Sequence, residues 1–236
     1  MPRERKGLVR KSGGQSKDPY VIFVLAAEGE VTEVLYFQQI KALLESLRIG
    51  RLIKIEPLER PKGTSGDAQD VIKTLDEYRQ KYTLKEGDEL WCLIDRDNIK
   101  VWNIAEADKR CREKGYEFCM TTPCFELWLL LHLRDLNEFS PEQQSALLIN
   151  RRDNPGNRTC SEYELNISVK NAGGRSYRKD YVSSVFLPQI PIAVSRAFEM
   201  RLEENHWNTD QFCTRLHLLL QRIFNLEPPH FTLPNK

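Results

Sequence analysis

The sequence predicts an α/β fold with a parallel, Rossmann-like sheet, and three features carry that prediction. Short runs such as residues 20–25 and 90–94 are apolar almost throughout, as strands covered on both faces are. Between such runs lie amphipathic stretches whose apolar residues fall three and four apart, the spacing of helices that cover a sheet. The two kinds alternate through the first half of the chain, which implies parallel pairing and right-handed crossovers.

Taken in order, residues 1–19 read as a flexible basic arm with Ser12-Gly13-Gly14 inside it. A strand at 20–25 leads through the Glu28-Gly29-Glu30 turn into a helix marked by Tyr36, Ile40, Leu43, Leu44 and Leu47, with Thr32 before it and Gly50 after. A short strand at 52–55 follows, then the Gly63–Gly66 loop and a helix carrying Val71, Leu75, Tyr78 and Tyr82. The next strand spans 89–94, a polar-faced helix spans 104–114 and stops at Gly115, and another strand spans 116–120. Pro123 suits the first position of a helix whose segment 125–133 is apolar on nearly every side and must therefore be buried. Residues 137–175 are polar and broken by Asp153-Asn154-Pro155-Gly156-Asn157 and Gly173-Gly174, with helices expected afterwards at 181–186, 192–204 and 209–224. The organisation expected is an arm (1–19), an α/β core (20–135) and a mainly helical C-terminal lobe (136–236).

The six cysteines lack C-x-x-C spacing and several lie in apolar runs, so they read as reduced thiols. The N-terminal segment is basic and contains Gly and Ser, unlike a signal peptide, and no apolar run approaches the roughly 20 residues of a membrane helix. A soluble, cytoplasmic protein is expected. The formal net charge is only +1, but its distribution is uneven. Arg3, Arg5, Lys6, Arg10, Lys11 and Lys17 crowd the arm, and Arg151, Arg152, Arg158, Lys170, Arg175, Arg178 and Lys179 form a second basic set. Each set reads either as a solvated segment or as a surface for the phosphates of DNA or RNA; Tyr177 either stacks on a base or packs inside.

Two strands end in carboxylates, and this is where chemistry is expected. Glu28 follows the first strand and Asp95-Arg96-Asp97 follows the one at 89–94, so the acids point into the crevice beyond the carboxyl ends of the sheet. Left unpaired they would repel one another, whereas a hard divalent cation, Mg2+ or Mn2+, would stabilise them. The bland reading of the Asp pair is a capped turn. Glu30 and Glu33, near the start of a helix, complement its dipole. Glu126 sits in an otherwise apolar helix, where a buried carboxylate costs several kcal/mol unless it is paired or metal-bound, so either a metal role or an ion pair with a core arginine is expected. His132 ends that helix and suits its last carbonyls. His206, Cys213 and His217 lack the paired spacing of a zinc module and read as packing residues.

Three segments, Ala27 to Glu33 with Tyr36-Phe37, Ile94-Asp95-Arg96-Asp97-Asn98, and Thr122 to His132 with its P-x-F-E-x-W-x-L-L pattern, resemble in their order the RloB-like family, which looks like a branch of the Toprim superfamily. The resemblance runs from about residue 20 to 132 and more weakly through Tyr177-Arg178-Lys179. It implies a Toprim-like core and a metal-dependent nuclease of bacterial anti-phage defence, working with a partner protein or trigger. Lys179 matches the family's Y-x-K element, which implies a cation facing the metals. Glu28, Asp95, Asp97, Glu126 and Lys179 are thus the expected catalytic set. Two other readings stand beside it: a silent nucleic-acid-binding or scaffolding component, and a phosphatase or phosphotransferase with Asp95 as nucleophile.

Overall fold

Among the described residues five strands form one mostly parallel sheet, two more strands pair separately, and eight α-helices accompany them. The structure is a computed structural model; it describes residues 3–4, 21–29, 31–47, 53–59, 67–96, 101–182, 184–200 and 210–224. In chain order the elements are β1 (Arg3–Glu4), β2 (Val21–Ala27), α1 (Thr32–Ser46), β3 (Ile53–Leu58), α2 (Ala68–Lys81), β4 (Tyr82–Thr83), β5 (Glu89–Asp95), α3 (Val101–Lys114), β6 (Glu117–Thr122), α4 (Phe125–Leu133), α5 (Pro141–Ile149), α6 (Cys160–Asn171), α7 (Ile190–Glu199), β7 (Cys213–Thr214) and α8 (Leu216–Phe224). The sheet order is β3-β2-β5-β6-β7, parallel except for β7, and β1 pairs antiparallel with β4.

Alternation along the strands divides the core in two. Phe23, Leu25, Ala27, Trp91, Leu93 and Cys119 face one side, where they join α1, α4, α6, α7 and α8 in a single apolar cluster. Ile22, Val24, Ala26, Leu90, Cys92, Ile94, Phe118 and Met120 face the other, against α2 and α3. Both faces are covered, which is why the strands read as continuous apolar runs. The α/β fold with a parallel, Rossmann-like sheet is therefore what the chain adopts. Pro57 lies on the edge strand β3, where a missing N–H costs no ladder bond.

Helix α4 is the hub of the larger cluster. All of its residues except Leu133 are buried, and each fully buried leucine contributes roughly 2 kcal/mol. It packs on α6 and α7. Pro123 does not open it: the Thr122–Pro123 peptide is cis, and Cys124, in extended conformation, precedes the first helical residue, Phe125.

After α4 the chain departs from several expectations. Two helices, α5 and α6, occupy part of the polar stretch to which the sequence assigned no element, each opened by a capping box, Ser140 with Gln143 and Thr159 with Glu162. No helix forms at 181–186 among the described residues; Tyr181 instead bridges Arg178. The segment expected as one helix from 209 begins with β7, which adds antiparallel to β6 and is pinned by a Thr121–Thr214 hydroxyl bond of 3.0 Å and by Cys213 Sγ donating to Thr122 Oγ1. The arm expected at residues 1–19 lies outside the described residues apart from Arg3–Glu4. Among the described residues no helix is long and apolar enough to cross a membrane.

Candidate functional site

The first part of the site is built by sheet register. Strands β2 and β5 run side by side with Ala27 opposite Leu93, and the Glu28 N–H donates to Leu93 O at 2.9 Å, so the two strands end together. The Glu28 carboxylate then turns back over β5 and accepts from the Asp95 N–H at 3.0 Å. β6 continues the same edge, with Asp95 opposite Thr121 and the Arg96 N–H donating to Thr121 O at 3.0 Å. Glu28 and Asp95 thus stand at adjacent strand ends, with the Glu28 carboxylate on the Asp95 backbone. Asp97, the second acid of the pair, lies outside the described residues, as do Glu30, Arg10, Lys11 and His206.

The second part hangs from α4 and α6. Glu126, in the first turn of α4, is 6% exposed and accepts from the Tyr177 hydroxyl at 2.7 Å. The Lys179 ammonium lies 3.6 Å from Glu126 and 3.1 Å from Glu162. Desolvation alone would lower the Lys179 pKa, but Glu126 and Glu162 outweigh it and hold the amine above its usual value. Glu126 therefore bonds a tyrosine and a lysine rather than the core arginine that was one expectation. Tyr177 is buried at 5%, with its backbone N–H held by Asn166 Oδ1 at 3.1 Å, so its ring packs inside and offers no face for a base.

Helix termini set these positions. Asn150, in left-handed conformation (φ 52°) at the end of α5, donates from Nδ2 to Cys124 Sγ and accepts the Ser161 N–H on Oδ1 at 2.9 Å. One side chain thereby fixes the start of α4, which carries Glu126, against the start of α6, which carries Glu162. Thr32 Oγ1 donates to Lys179 O at 3.1 Å and Gln39 Nε2 donates to Val182 O at 2.7 Å, so α1 grips the segment that presents the lysine.

Glu33 joins the two parts, and the sequence reading missed it. It is 7% exposed, and burial, helped by the Glu126 and Glu28 carboxylates and opposed by its own backbone amide and Lys179, pushes its pKa up to about 7. Its carboxylate folds over Gly29 so closely that a Cβ there would collide with it. With Asp95 it lines a gap of about 10 Å3, about the room needed by one water. His132 stays out of the group: Nδ1 must donate to Trp128 O at 2.9 Å, because a carbonyl only accepts, leaving Nε2 to accept from the Tyr36 hydroxyl at 3.0 Å. Burial holds its pKa down at about 3. His217 bonds Thr214 O, as a packing residue.

The second basic set surrounds this group loosely. Arg152 reaches Glu162 at 3.6 Å and Asn157 O at 2.9 Å, Arg151 is exposed, and Arg175 and Arg178 line an open hollow of about 470 Å3 with Ser176, Asp180 and Tyr181. Arg178 forms two bonds to Asp180 at 2.9 and 2.6 Å.

The molecule is thus an α/β protein with two acids, Glu28 and Asp95, at adjacent strand ends of a mostly parallel sheet and three more on helices, Glu33 on α1, Glu126 on α4 and Glu162 on α6, the last two paired with Lys179. The chain belongs to the RloB-like family, whose model, described as RloB-like protein, matches residues 23–223. No curated relative and no solved structure matches it. The match contains every described residue of the group.

The donor set suits a hard cation in being all oxygen, and Glu33, raised mainly by burial, also feels the charge of Glu126 and Glu28. Among the described residues no group of three or more His, Cys, Asp or Glu side chains converges as a ready-made metal cage. Glu28 and Asp95 are two acids at adjacent strand ends, and magnesium commonly takes one or two carboxylates while keeping its waters.

Proposed function

We propose that this chain is a Mg2+- or Mn2+-dependent nuclease with a Toprim-like core, hydrolysing phosphodiester bonds of DNA or RNA in the cytoplasm as part of bacterial defence against phage. The observation that carries the reading is the pair of acids at adjacent strand ends, with the Glu28 carboxylate on the Asp95 N–H, together with the buried Glu33, close enough to Glu28 and Glu126 to feel their charge, and Glu126 paired with Lys179. Glu28 and Asp95, with Asp97, would hold the metal; Glu126 and Glu33 flank it. A bound divalent ion supplies a water of lowered pKa and a charge opposite the scissile phosphate. Lys179, cationic and held beside the acids, stabilises the negative charge that grows on the phosphoryl or leaving oxygen, an interaction stronger in the transition state than in the ground state. Arg152, on Glu162, and the exposed Arg151, Arg175 and Arg178 would contact the polynucleotide backbone.

A second reading, a binding or scaffolding component of a defence assembly, is favoured by one observation: Glu126 is already satisfied by Tyr177 and Lys179 without a metal. The discriminating experiment incubates the protein with DNA and RNA panels, with and without Mg2+ or Mn2+, beside an Asp95→Asn control. Metal-dependent cleavage that the control lacks supports the nuclease. Binding without cleavage under every divalent ion supports the scaffold, and wild-type rates in Asp95→Asn at saturating metal overturn the mechanism.

A further inference from the structure

We propose that Glu162 is the positioning residue for Lys179: fixed on the first turn of α6, its carboxylate holds the ammonium beside the acid group, away from collapse onto Glu126 and from solvent. The proposal rests on the role given to Lys179 above, and it starts from an excess of charge. Glu162 caps α6, with Oε2 accepting the Thr159 N–H at 2.9 Å, but a capping box needs only an acceptor, which glutamine provides equally well. A residue 5% exposed that carries a full negative charge must be paired, and here the partner is Lys179.

The geometry divides the labour between two carboxylates. One Glu162 oxygen is taken by the helix cap and by Arg152 at 3.6 Å, which locks the side chain; the other faces Lys179 at 3.1 Å. Glu126, farther away at 3.6 Å, has its oxygen engaged by the Tyr177 hydroxyl. The Lys179 side chain is itself 57% exposed, so burial does not hold it, and its flexible four-carbon stem can adopt many rotamers. Its backbone is anchored by Thr32. The remaining freedom lies in the side chain, and Glu162 removes it.

Glu162→Gln keeps the cap and deletes the charge, so it isolates this role. The ammonium of Lys179 is observed directly by 15N-edited NMR, where an ion-paired NH3+ exchanges slowly enough to give a cross-peak, identified by its loss in Lys179→Gln. Expected is a Lys179 cross-peak in the full-length protein that vanishes in Glu162→Gln and survives in Arg152→Ala, with melting temperature changed by less than about 2 °C. In a cleavage assay kcat falls about tenfold with KM within about twofold, and Glu162→Gln adds nothing to the loss already caused by Lys179→Gln. A Lys179 cross-peak unchanged in Glu162→Gln, or additive kcat losses, would overturn the proposal. Should the wild type cleave no polynucleotide, the nuclease reading fails while the ammonium spectrum still decides the role of Glu162.

Discussion

Replacing Glu33 with glutamine should change how stability depends on pH, in a direction the structure fixes. The native Glu33 titrates at about 7 against 4.5 for a free carboxyl, so the folded state keeps a proton that the unfolded state has released. That contribution is complete below pH 4.5 and is lost as pH rises through 7. Two buried histidines act oppositely. His132 titrates at about 3 and His217 at about 4 against 6.5 unfolded, burial being the main cause for both, so their contribution is complete above 6.5 and is lost as pH falls. Between pH 4.5 and 6.5 each group changes stability by about 1.4 kcal/mol per pH unit, two making it rise with pH and Glu33 making it fall. Groups remote from Glu33 are common to wild type and Glu33→Gln and cancel in the difference, which leaves Glu33 and the smaller response of the Glu126 and Glu28 charges that it feels. The variant should therefore show a slope steeper by about 1.4 kcal/mol per pH unit. Urea denaturation at half-unit pH steps, in EDTA so that only protons compete for the carboxylates, measures it. Parallel wild-type and variant curves would mean that Glu33 is not held among the acids, and the account of the group would be wrong.

Glu126→Gln should cost less than about 1 kcal/mol, because Tyr177 keeps an acceptor and the half-exposed Lys179 keeps Glu162, yet cleavage should fall at least about 100-fold. A loss of roughly 3–5 kcal/mol in urea would instead reveal a buried cation dependent on that carboxylate. Tyr177→Phe leaves the buried Glu126 without its hydroxyl donor and should cost about 1.5–3 kcal/mol in the same assay. Gly29→Ala should displace the flexible end of Glu33 and depress cleavage while thermal stability shifts by about 1 kcal/mol or less; full activity would exclude Glu33 from the site. Alanine at Arg3, Arg5, Lys6, Arg10 and Lys11 should weaken nucleic-acid binding and flatten its salt dependence with kcat unchanged, and an unaltered salt slope would leave the arm as a solvated tail.

The sheet was legible because strands covered on both faces have a continuous apolar pattern, and because Glu28 and Asp95 directly follow such strands. Burial of Glu126 followed from its neighbours in α4. Glu33 was not legible for an equally physical reason: an acid in a helical first turn fits the dipole whether it faces water or the interior, and only tertiary packing separates the two. Glu162 was hidden similarly in a polar stretch, although Thr159-x-x-Glu162 and Ser140-x-x-Gln143 are the capping signatures by which α6 and α5 were there to be found. β7 has two residues, too few for any period, and its place is set by pairing with β6.

The backbone of residues 177–182 has no ladder of its own beyond the Arg178–Tyr181 bridge; Asn166, Thr32 and Gln39 hold it by side-chain bonds, each worth about 1 kcal/mol. Between Tyr177 and Val182, which are buried in the core, residues 178–181 are exposed, and amide exchange there should report local release rather than global unfolding. Each such excursion withdraws the lysine while leaving the acids in place on strands and helices. The fraction of molecules holding a complete site at any instant is then a thermal quantity, governed by Thr32, Gln39 and Asn166, none of which is assigned a chemical role.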